Sequence, residues 1–173
     1  FISSNEDNFT TTMGREASDY TASIFAYCLN ANSVTIWKDV DGIFNADPKK
    51  FKNTTLLEKI SYTEAIELAF YGASVIHPKT IQPLQKKEIP LYVKSYINPT
   101  ALGTCVSKSK DIFPKVPCYI LKENQILLSI SSLDFSFTIN DKTKAILTLL
   151  SQNKVKINLT QNSAISLILC VED

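Results

Sequence analysis

The feature that most constrains the fold is a short apolar strand followed by an acidic loop with turn residues. Residues 34–37 read Val-Thr-Ile-Trp and predict a buried strand. The charged stretch after them contains Gly42, Asp47 and Pro48, which are typical of turns. A helical apolar run at 22–29 precedes the strand. This order predicts an α/β crossover whose chemistry lies at the carboxyl end of the strand, where open α/β sheets bind ligands.

The segment before that helix combines hydroxyl, glycine, arginine and acidic residues. Residues 10–12 are three threonines, and Gly14, Arg15, Ser18 and Asp19 follow. Ser18 or Asp19 suits the N-cap position, because a short side-chain oxygen accepts from free backbone N–H groups. Those N–H groups, the helix dipole and a guanidinium together favour an anion. Spacing alone leaves open whether this is an anion site or an ordinary capped helix after a polar loop.

Two motifs in this region carry a resemblance. Residues 11–22 read Thr-Thr-x-Gly-Arg-x-x-Ser-Asp-Tyr-Thr-Ala, and residues 36–48 read Ile-Trp-x-Asp-Val-x-Gly-Ile-x-x-x-Asp-Pro. Together they resemble aspartate kinase, within the amino-acid kinase superfamily. The second motif also resembles related kinases of glutamate, acetylglutamate and UMP, whereas the first is more specific. Residues 58–103 extend the resemblance, with a helix that reads Ala-x-Glu-Leu-Ala-x-x-Gly-Ala.

The resemblance implies an α/β fold for the first part of the chain. Residues 1–104 would form the C-terminal part of an amino-acid-kinase-type three-layer sandwich. The family's Lys-Phe-Gly-Gly phosphate-binding segment does not occur in this sequence. We therefore expect a fragment of a longer kinase that is inactive by itself, the alternative being an independent short protein. Lone His77 precedes Pro78, which suits a helix start, so we expect a structural role for it rather than general base catalysis.

The remainder of the chain predicts a linker and a second domain. Residues 105–118 are polar and contain Pro114 and Pro117, which is typical of a linker. Strands are expected at 126–130, 155–159 and 165–171, with a helix at 141–152. Because this βαββ order follows a kinase-like part, residues 119–173 resemble a partial α+β ACT-like (ferredoxin-like) regulatory domain.

For the substrate, the resemblance implies L-aspartate, phosphorylated on its side-chain carboxylate in the first step of lysine, threonine and methionine biosynthesis. The nucleophile is already ionised at neutral pH, so the reaction needs charge neutralisation and in-line positioning. Arg15 would grip the substrate carboxylate and Ser18 would hydrogen-bond the amino acid. Asp19 would pair with the substrate ammonium or orient a catalytic lysine.

For the second substrate, the resemblance implies ATP with Mg²⁺, bound by the loop after residue 37. Asp39 would meet the ribose or polar adenosine atoms, Phe44 the adenine and Lys49 a phosphate. Alternatively, Phe44 belongs to the core and Lys49 is a solvated charge. Ser74 stands where the family often has a phosphate-facing lysine, and Lys38 where it often has threonine. Our hypothesis is that the positive charge has moved to Lys38.

The resemblance also implies a possible amino-acid effector and a homodimer formed through the ACT-like region. Asn158 stands where lysine-inhibited relatives offer an acidic residue for the effector ammonium. Asn162 and Ser163 either bind the effector carboxylate or make a turn. A change of effector, or none, is expected. A non-catalytic dimerising or effector-binding fragment, or a kinase of another small carboxylate, stays open as the alternative function.

Composition excludes other classes of function. The formal net charge is +1, and charges of both signs are interspersed, which gives no argument for nucleic acid or a membrane surface. The four cysteines lie far apart and the chain has one histidine, so no resident metal is expected. Reduced thiols and a cytoplasmic location are the corresponding expectations.

Overall fold

The structure is a computed structural model that describes residues 3–12, 14, 17–72, 75–131, 139–163 and 165–173. The chain forms two compact units, Phe1–Leu121 and Lys122–Asp173. Among the described helices, none is long and apolar enough to span a bilayer.

The first unit is built around a mixed four-stranded sheet. Its described elements are β1 (Ser3–Ser4), β2 (Thr10–Thr11), α1 (Ala17–Leu29), β3 (Val34–Lys38), β4 (Lys59–Ser61), α2 (Tyr62–Tyr71), α3 (Pro78–Lys86), β5 (Leu91–Ser95) and β6 (Thr104–Ser107). The short strands β1 and β2 pair with each other, and the larger sheet has the order β3-β5-β6-β4. Strand β3 runs parallel to β5, so their carboxyl ends meet at one edge of the sheet. The α/β arrangement predicted from the strand at 34–37 is confirmed.

Local signals set the limits of α2 and α3. Ser61 caps α2 in a capping box, because its Oγ accepts from the Glu64 N–H and the Glu64 carboxylate accepts from the Ser61 N–H. Gly72, at φ 130°, ends that helix. His77 caps α3, since its Nδ1 accepts from the Lys79 N–H at 3.0 Å. The structural role predicted for His77 is confirmed.

Alternating side chains of the sheet and apolar faces of the helices form one core. Strands β3, β5 and β6 bury every second residue, as half-buried strands do. These positions join residues of α1, α2 and α3 in a single cluster, whose fully buried members include Leu57, Ile60, Ile81, Leu84, Leu91, Val93 and Val106. The packed core fixes the position of the carboxyl end of β3 relative to α1.

The structure differs from the predicted linker at 105–118. The first residues of that stretch belong to β6, which pairs with both β4 and β5. Phe113 forms a backbone bridge with Lys59, and Ile112 and Val116 pack on the core. These apolar side chains attach a stretch of polar, proline-rich composition to the first unit. The boundary between the compact units follows Leu121.

The second unit has the β-α-β-β order expected from the sequence. It contains β7 (Gln125–Ser131), α4 (Ile139–Gln152), β8 (Ile157–Asn162) and β9 (Ser166–Glu172). The three strands form an antiparallel sheet with β9 in the centre. Leu167, Leu169 and Val171 are buried against the apolar face of α4. Helix α4 begins two residues before the predicted start.

Candidate functional site

The first turn of α1 carries two of the predicted substrate residues. The helix begins at Ala17, so Ser18 and Asp19 lie inside its first turn and the predicted N-cap role of either residue is wrong. An N-cap at Ser18 or Asp19 would start the helix at residue 19 or 20, whereas the helical hydrogen bonding begins two or three residues earlier. Ser18 is exposed, whereas Asp19 is buried with 8% of its surface accessible. Arg15, the third predicted residue, lies outside the described residues.

Asp19 forms an ion pair with Lys38 at the carboxyl end of β3. Lys38 Nζ lies 2.6 Å from Asp19 Oδ2, and the two side chains are 27% and 11% exposed respectively. The backbone on both sides is fixed, because the Lys38 carbonyl accepts from the Tyr96 N–H and the Ser23 Oγ donates to the Asp19 carbonyl. Of the two partners expected for Asp19, the structure provides a lysine. The pair therefore holds one ammonium at the edge where parallel strands β3 and β5 end.

The loop after β3 carries the predicted nucleotide residues. Asp39 is exposed in the turn that follows the strand, and Lys49 is exposed at the far end of the loop. Phe44 is half-buried, and its backbone forms a bridge with Leu56. Ser74, the remaining predicted nucleotide residue, lies outside the described residues. Lys38 and Asp39 are consecutive, so the ammonium and the exposed carboxylate lie at the same strand end.

Two buried residues that sequence reasoning missed hold this loop in place. Thr104 is fully buried, and its Oγ1 accepts from the Ile43 N–H at 2.8 Å. Gly42 packs so closely that a Cβ there would lie 2.6 Å from Thr104 Oγ1, at a φ of 151°. The second buried residue that holds the loop is Asn45, with 8% of its surface accessible. No motif in the sequence marks Thr104 or Asn45 as a loop anchor, because their partners are remote along the chain.

In the second unit, the predicted effector residue Asn158 belongs to a polar cluster. Its Oδ1 accepts from Lys122 Nζ at 2.7 Å, and its Nδ2 donates to Gln125 Oε1 at 2.5 Å. Lys122 also pairs with Glu172 at 2.8 Å, and Lys156 pairs with the same carboxylate at 3.0 Å. The hydrogen bonds from Lys122 and Lys156 lower the pKa of Glu172 to about 2. Both polar atoms of the Asn158 side chain therefore have intramolecular partners.

The other two predicted effector residues lie between β8 and β9. Asn162 ends β8 and is exposed. Ser163 makes a turn: its Oγ accepts from the Ser166 N–H at 3.0 Å, and its N–H donates to the Ser166 carbonyl at 2.8 Å. Of the two roles left open for Ser163, the structure provides the turn.

Across the part of the chain that the structure describes, no group of three or more His, Cys, Asp or Glu side chains is arranged to hold a metal ion. The four cysteines, at 28, 105, 118 and 170, are free thiols.

Comparisons with known proteins agree with the motifs. The sequence profile of the Amino acid kinase family matches residues 1–95. Lysine-sensitive aspartokinase 3 of Escherichia coli (strain K12) is 34% identical over 172 residues, which are 99% of this chain and 38% of that protein. A bifunctional aspartokinase/homoserine dehydrogenase of Buchnera aphidicola is 46% identical over 106 residues, which are 61% of this chain and 13% of that protein.

Solved structures show the same similarity. Escherichia coli aspartokinase III in complex with aspartate and ADP has a TM-score of 0.78 at 34% identity, and the match covers 100% of this chain and 38% of that one. Clostridium acetobutylicum aspartate kinase has a TM-score of 0.83 at 28% identity, with 100% and 40% covered. The chain thus spans 40% or less of each of these relatives. With an α/β fold of the amino-acid-kinase type and similarity to aspartokinases along its length, the chain belongs to the amino acid kinase family.

Proposed function

We propose that this chain is part of an aspartate kinase that transfers the γ-phosphoryl group of Mg-ATP to the side-chain carboxylate of L-aspartate. The observation that carries the proposal is the Asp19–Lys38 ion pair, which sets an ammonium at the carboxyl end of β3, next to the loop that begins with Asp39. Open α/β sheets bind their ligands at this edge. The solved relative in complex with aspartate and ADP supports aspartate and an adenine nucleotide as the ligands.

The substrate half of the proposed site is the start of α1. Arg15 binds a carboxylate of aspartate, and the exposed Ser18 hydroxyl hydrogen-bonds the amino acid. Free N–H groups of the first helical turn add positive potential toward the same anion. Asp19 links this half to the nucleotide half, because its carboxylate pairs with the Lys38 ammonium.

The nucleotide half is the loop from Lys38 to Lys49. The exposed Asp39 carboxylate accepts from ribose hydroxyls, and the Phe44 ring packs on the adenine. Lys38 and Lys49 supply positive charge to the phosphates, which carry Mg²⁺ with them. Ser74 stands where the family often has a phosphate-facing lysine, and Lys38 supplies that charge in its place. In the chemical step, a carboxylate oxygen of aspartate attacks the γ-phosphorus, and the bond to the β,γ-bridging oxygen breaks. ADP leaves with that electron pair.

The second unit is proposed to be the beginning of an ACT-like regulatory domain that senses an amino acid and pairs with a second copy. The β-α-β-β order supports this assignment. A relative from Escherichia coli was solved with lysine and aspartate. Here the Lys122 ammonium donates a hydrogen bond to Asn158 Oδ1, so an effector ammonium would have to displace Lys122 to bind that oxygen. We therefore propose weak lysine inhibition or a different effector, in a cytoplasmic enzyme.

The experiment is an aspartyl-hydroxamate assay on the longer protein that contains this chain, with aspartate and glutamate as alternative acceptors. We expect turnover with aspartate to exceed turnover with glutamate, and Asp19→Asn to lower it about a hundredfold, because a positioned charge is lost. Asp41→Asn is the matched control, since Asp41 is an exposed carboxylate of the same loop. Equal turnover of the two acceptors, or an unaffected Asp19→Asn variant, would contradict the proposal.

A further inference from the structure

Asn45 connects the loop after β3 to a remote segment of the first unit. Its Oδ1 accepts from the Thr55 N–H at 2.7 Å, and its Nδ2 donates to the Pro117 carbonyl at 3.0 Å. Its backbone N–H donates to the Thr55 carbonyl at 3.0 Å, and its own carbonyl accepts from the Tyr119 N–H at 2.7 Å. All four hydrogen-bonding groups of this buried residue are used, and two of them bind residues 117–119.

An aromatic contact reinforces the same connection. The Phe51 and Tyr119 rings stack with their centroids 6.3 Å apart and their planes inclined by 28°. Asn45 lies between Phe44 and Lys49 in sequence, so the residues proposed to bind adenine and phosphate flank it. Tyr119 lies three residues before Lys122, the first residue of the second unit. Asn45 therefore hydrogen-bonds the loop to residues 117–119, which precede the second unit in the sequence.

We propose that Asn45 is a positioning residue that couples the order of the nucleotide loop to the order of residues 117–121. A ligand that orders the loop then also orders the segment before the second unit, and the reverse holds by thermodynamic linkage. The identity of the ligand as Mg-ATP rests on the proposed function, whereas the coupling itself does not. Asparagine suits the position because its amide donates and accepts at once, which aspartate cannot do.

The first arm of the test uses no ligand and follows hydrogen exchange of the 173-residue chain by mass spectrometry. Thr104→Val removes the acceptor of the Ile43 N–H and loosens the loop from the core. We expect exchange to become about fivefold faster at 43–51 and also at 117–121, since one hydrogen bond is lost and the two are coupled. Thr80→Val is the matched control, because the buried Thr80 Oγ1 has no hydrogen-bond partner among the described residues.

The decisive variant is Asn45→Asp, which keeps the acceptor for the Thr55 N–H but turns an oxygen toward the Pro117 carbonyl. In this background we expect Thr104→Val to speed exchange at 43–51 as before, but at 117–121 by less than in the wild type, because the backbone bond from the Tyr119 N–H and the Phe51–Tyr119 stack remain. If Thr104→Val alone leaves 117–121 unchanged, or if its effect there is as large in Asn45→Asp as in the wild type, the coupling through Asn45 is refuted. Asn45→Ser, which retains a small polar group, replaces Asn45→Asp should that variant not fold.

The second arm adds saturating Mg-ATP. We expect slower exchange at both 43–51 and 117–121 in the wild-type chain, and weaker protection of 117–121 in Asn45→Asp. Protection of the loop without protection of 117–121 in the wild type would overturn the inference and leave the nucleotide site standing. Protection of neither segment would remove Mg-ATP as the ligand of this loop and count against the proposed function, while the ligand-free arm still decides the coupling.

Discussion

Replacing Lys38 with methionine removes the partner of the buried Asp19 carboxylate, and the cost follows from the geometry. At the Nζ–Oδ2 distance of 2.6 Å, the attraction is about 6 kcal/mol at an effective dielectric constant of about 20, and about 1.6 kcal/mol in bulk water. The Lys38 side chain is 27% exposed, so solvent screens the pair and part of the gain offsets desolvation. We expect Lys38→Met to lower the free energy of unfolding of the first unit by about 2 kcal/mol.

Replacing the other member of the pair, Asp19, is expected to lower the free energy of unfolding by less. Asp19→Asn leaves a lysine whose ammonium can turn to water, whereas Lys38→Met leaves a carboxylate that is 11% exposed. The expected loss for Asp19→Asn is therefore about 1 kcal/mol. Both are measured by urea unfolding followed through the single tryptophan, Trp37, which lies in the first unit. Lys49→Met, an exposed site, is the control and should change stability by less than about 0.5 kcal/mol. A larger loss for Asp19→Asn than for Lys38→Met would refute the reasoning.

Three other perturbations test the account, two from the structure and one from the sequence. The pKa of Glu172 is lowered from 4.5 to about 2, so its ion pairs stabilise the second unit above pH 4.5 and are lost as the pH falls toward 2. In Glu172→Gln, the Tm of that unit should therefore depend less on pH between these two values. Gly42→Ala places a Cβ against Thr104 at a φ of 151° and should lower the free energy of unfolding by about 1–3 kcal/mol in urea titrations. In the longer kinase, steady-state kinetics should show that Lys38→Ala lowers turnover heavily and that adding Ser74→Lys to this variant restores part of it. Unchanged turnover in Lys38→Ala would contradict the hypothesis that the positive charge has moved to Lys38.

The parts of the fold that the sequence predicts are those set by local signals. The proline after His77 acts within a few residues, and the helix start that it predicts is present. The capping box at Ser61 and the alternation in β5 are local features of the same kind. The predicted linker fails because its packing is long-range. Composition at 105–118 indicates exposure, but Ile112 and Val116 find apolar partners that only the folded unit brings near.

In the candidate site, too, the sequence predicts which residues take part but not the long-range contacts between them. The motifs place Asp19 and Lys38 in one site, but their pairing depends on a crossover that brings residues 19 positions apart into contact. The sequence does not predict that Thr104 and Asn45 anchor the loop, because their partners are far along the chain. Thr104 and Ile43 are separated by 61 positions, and Asn45 and Pro117 by 72. No periodicity or motif encodes such contacts. They arise from topology.

The measurement to make first is a calorimetric titration of Mg-ATP into the 173-residue chain, the Asp39→Ala variant and the Asp41→Ala control. The proposed nucleotide loop predicts saturable binding to the wild type, weakened about tenfold or more in Asp39→Ala because a charged hydrogen bond is lost. The Asp41→Ala control should keep the wild-type affinity within about twofold, since that carboxylate is exposed in the same loop. Equal weakening in both variants, or Asp39→Ala binding with wild-type affinity, would contradict the assignment of this loop to the nucleotide.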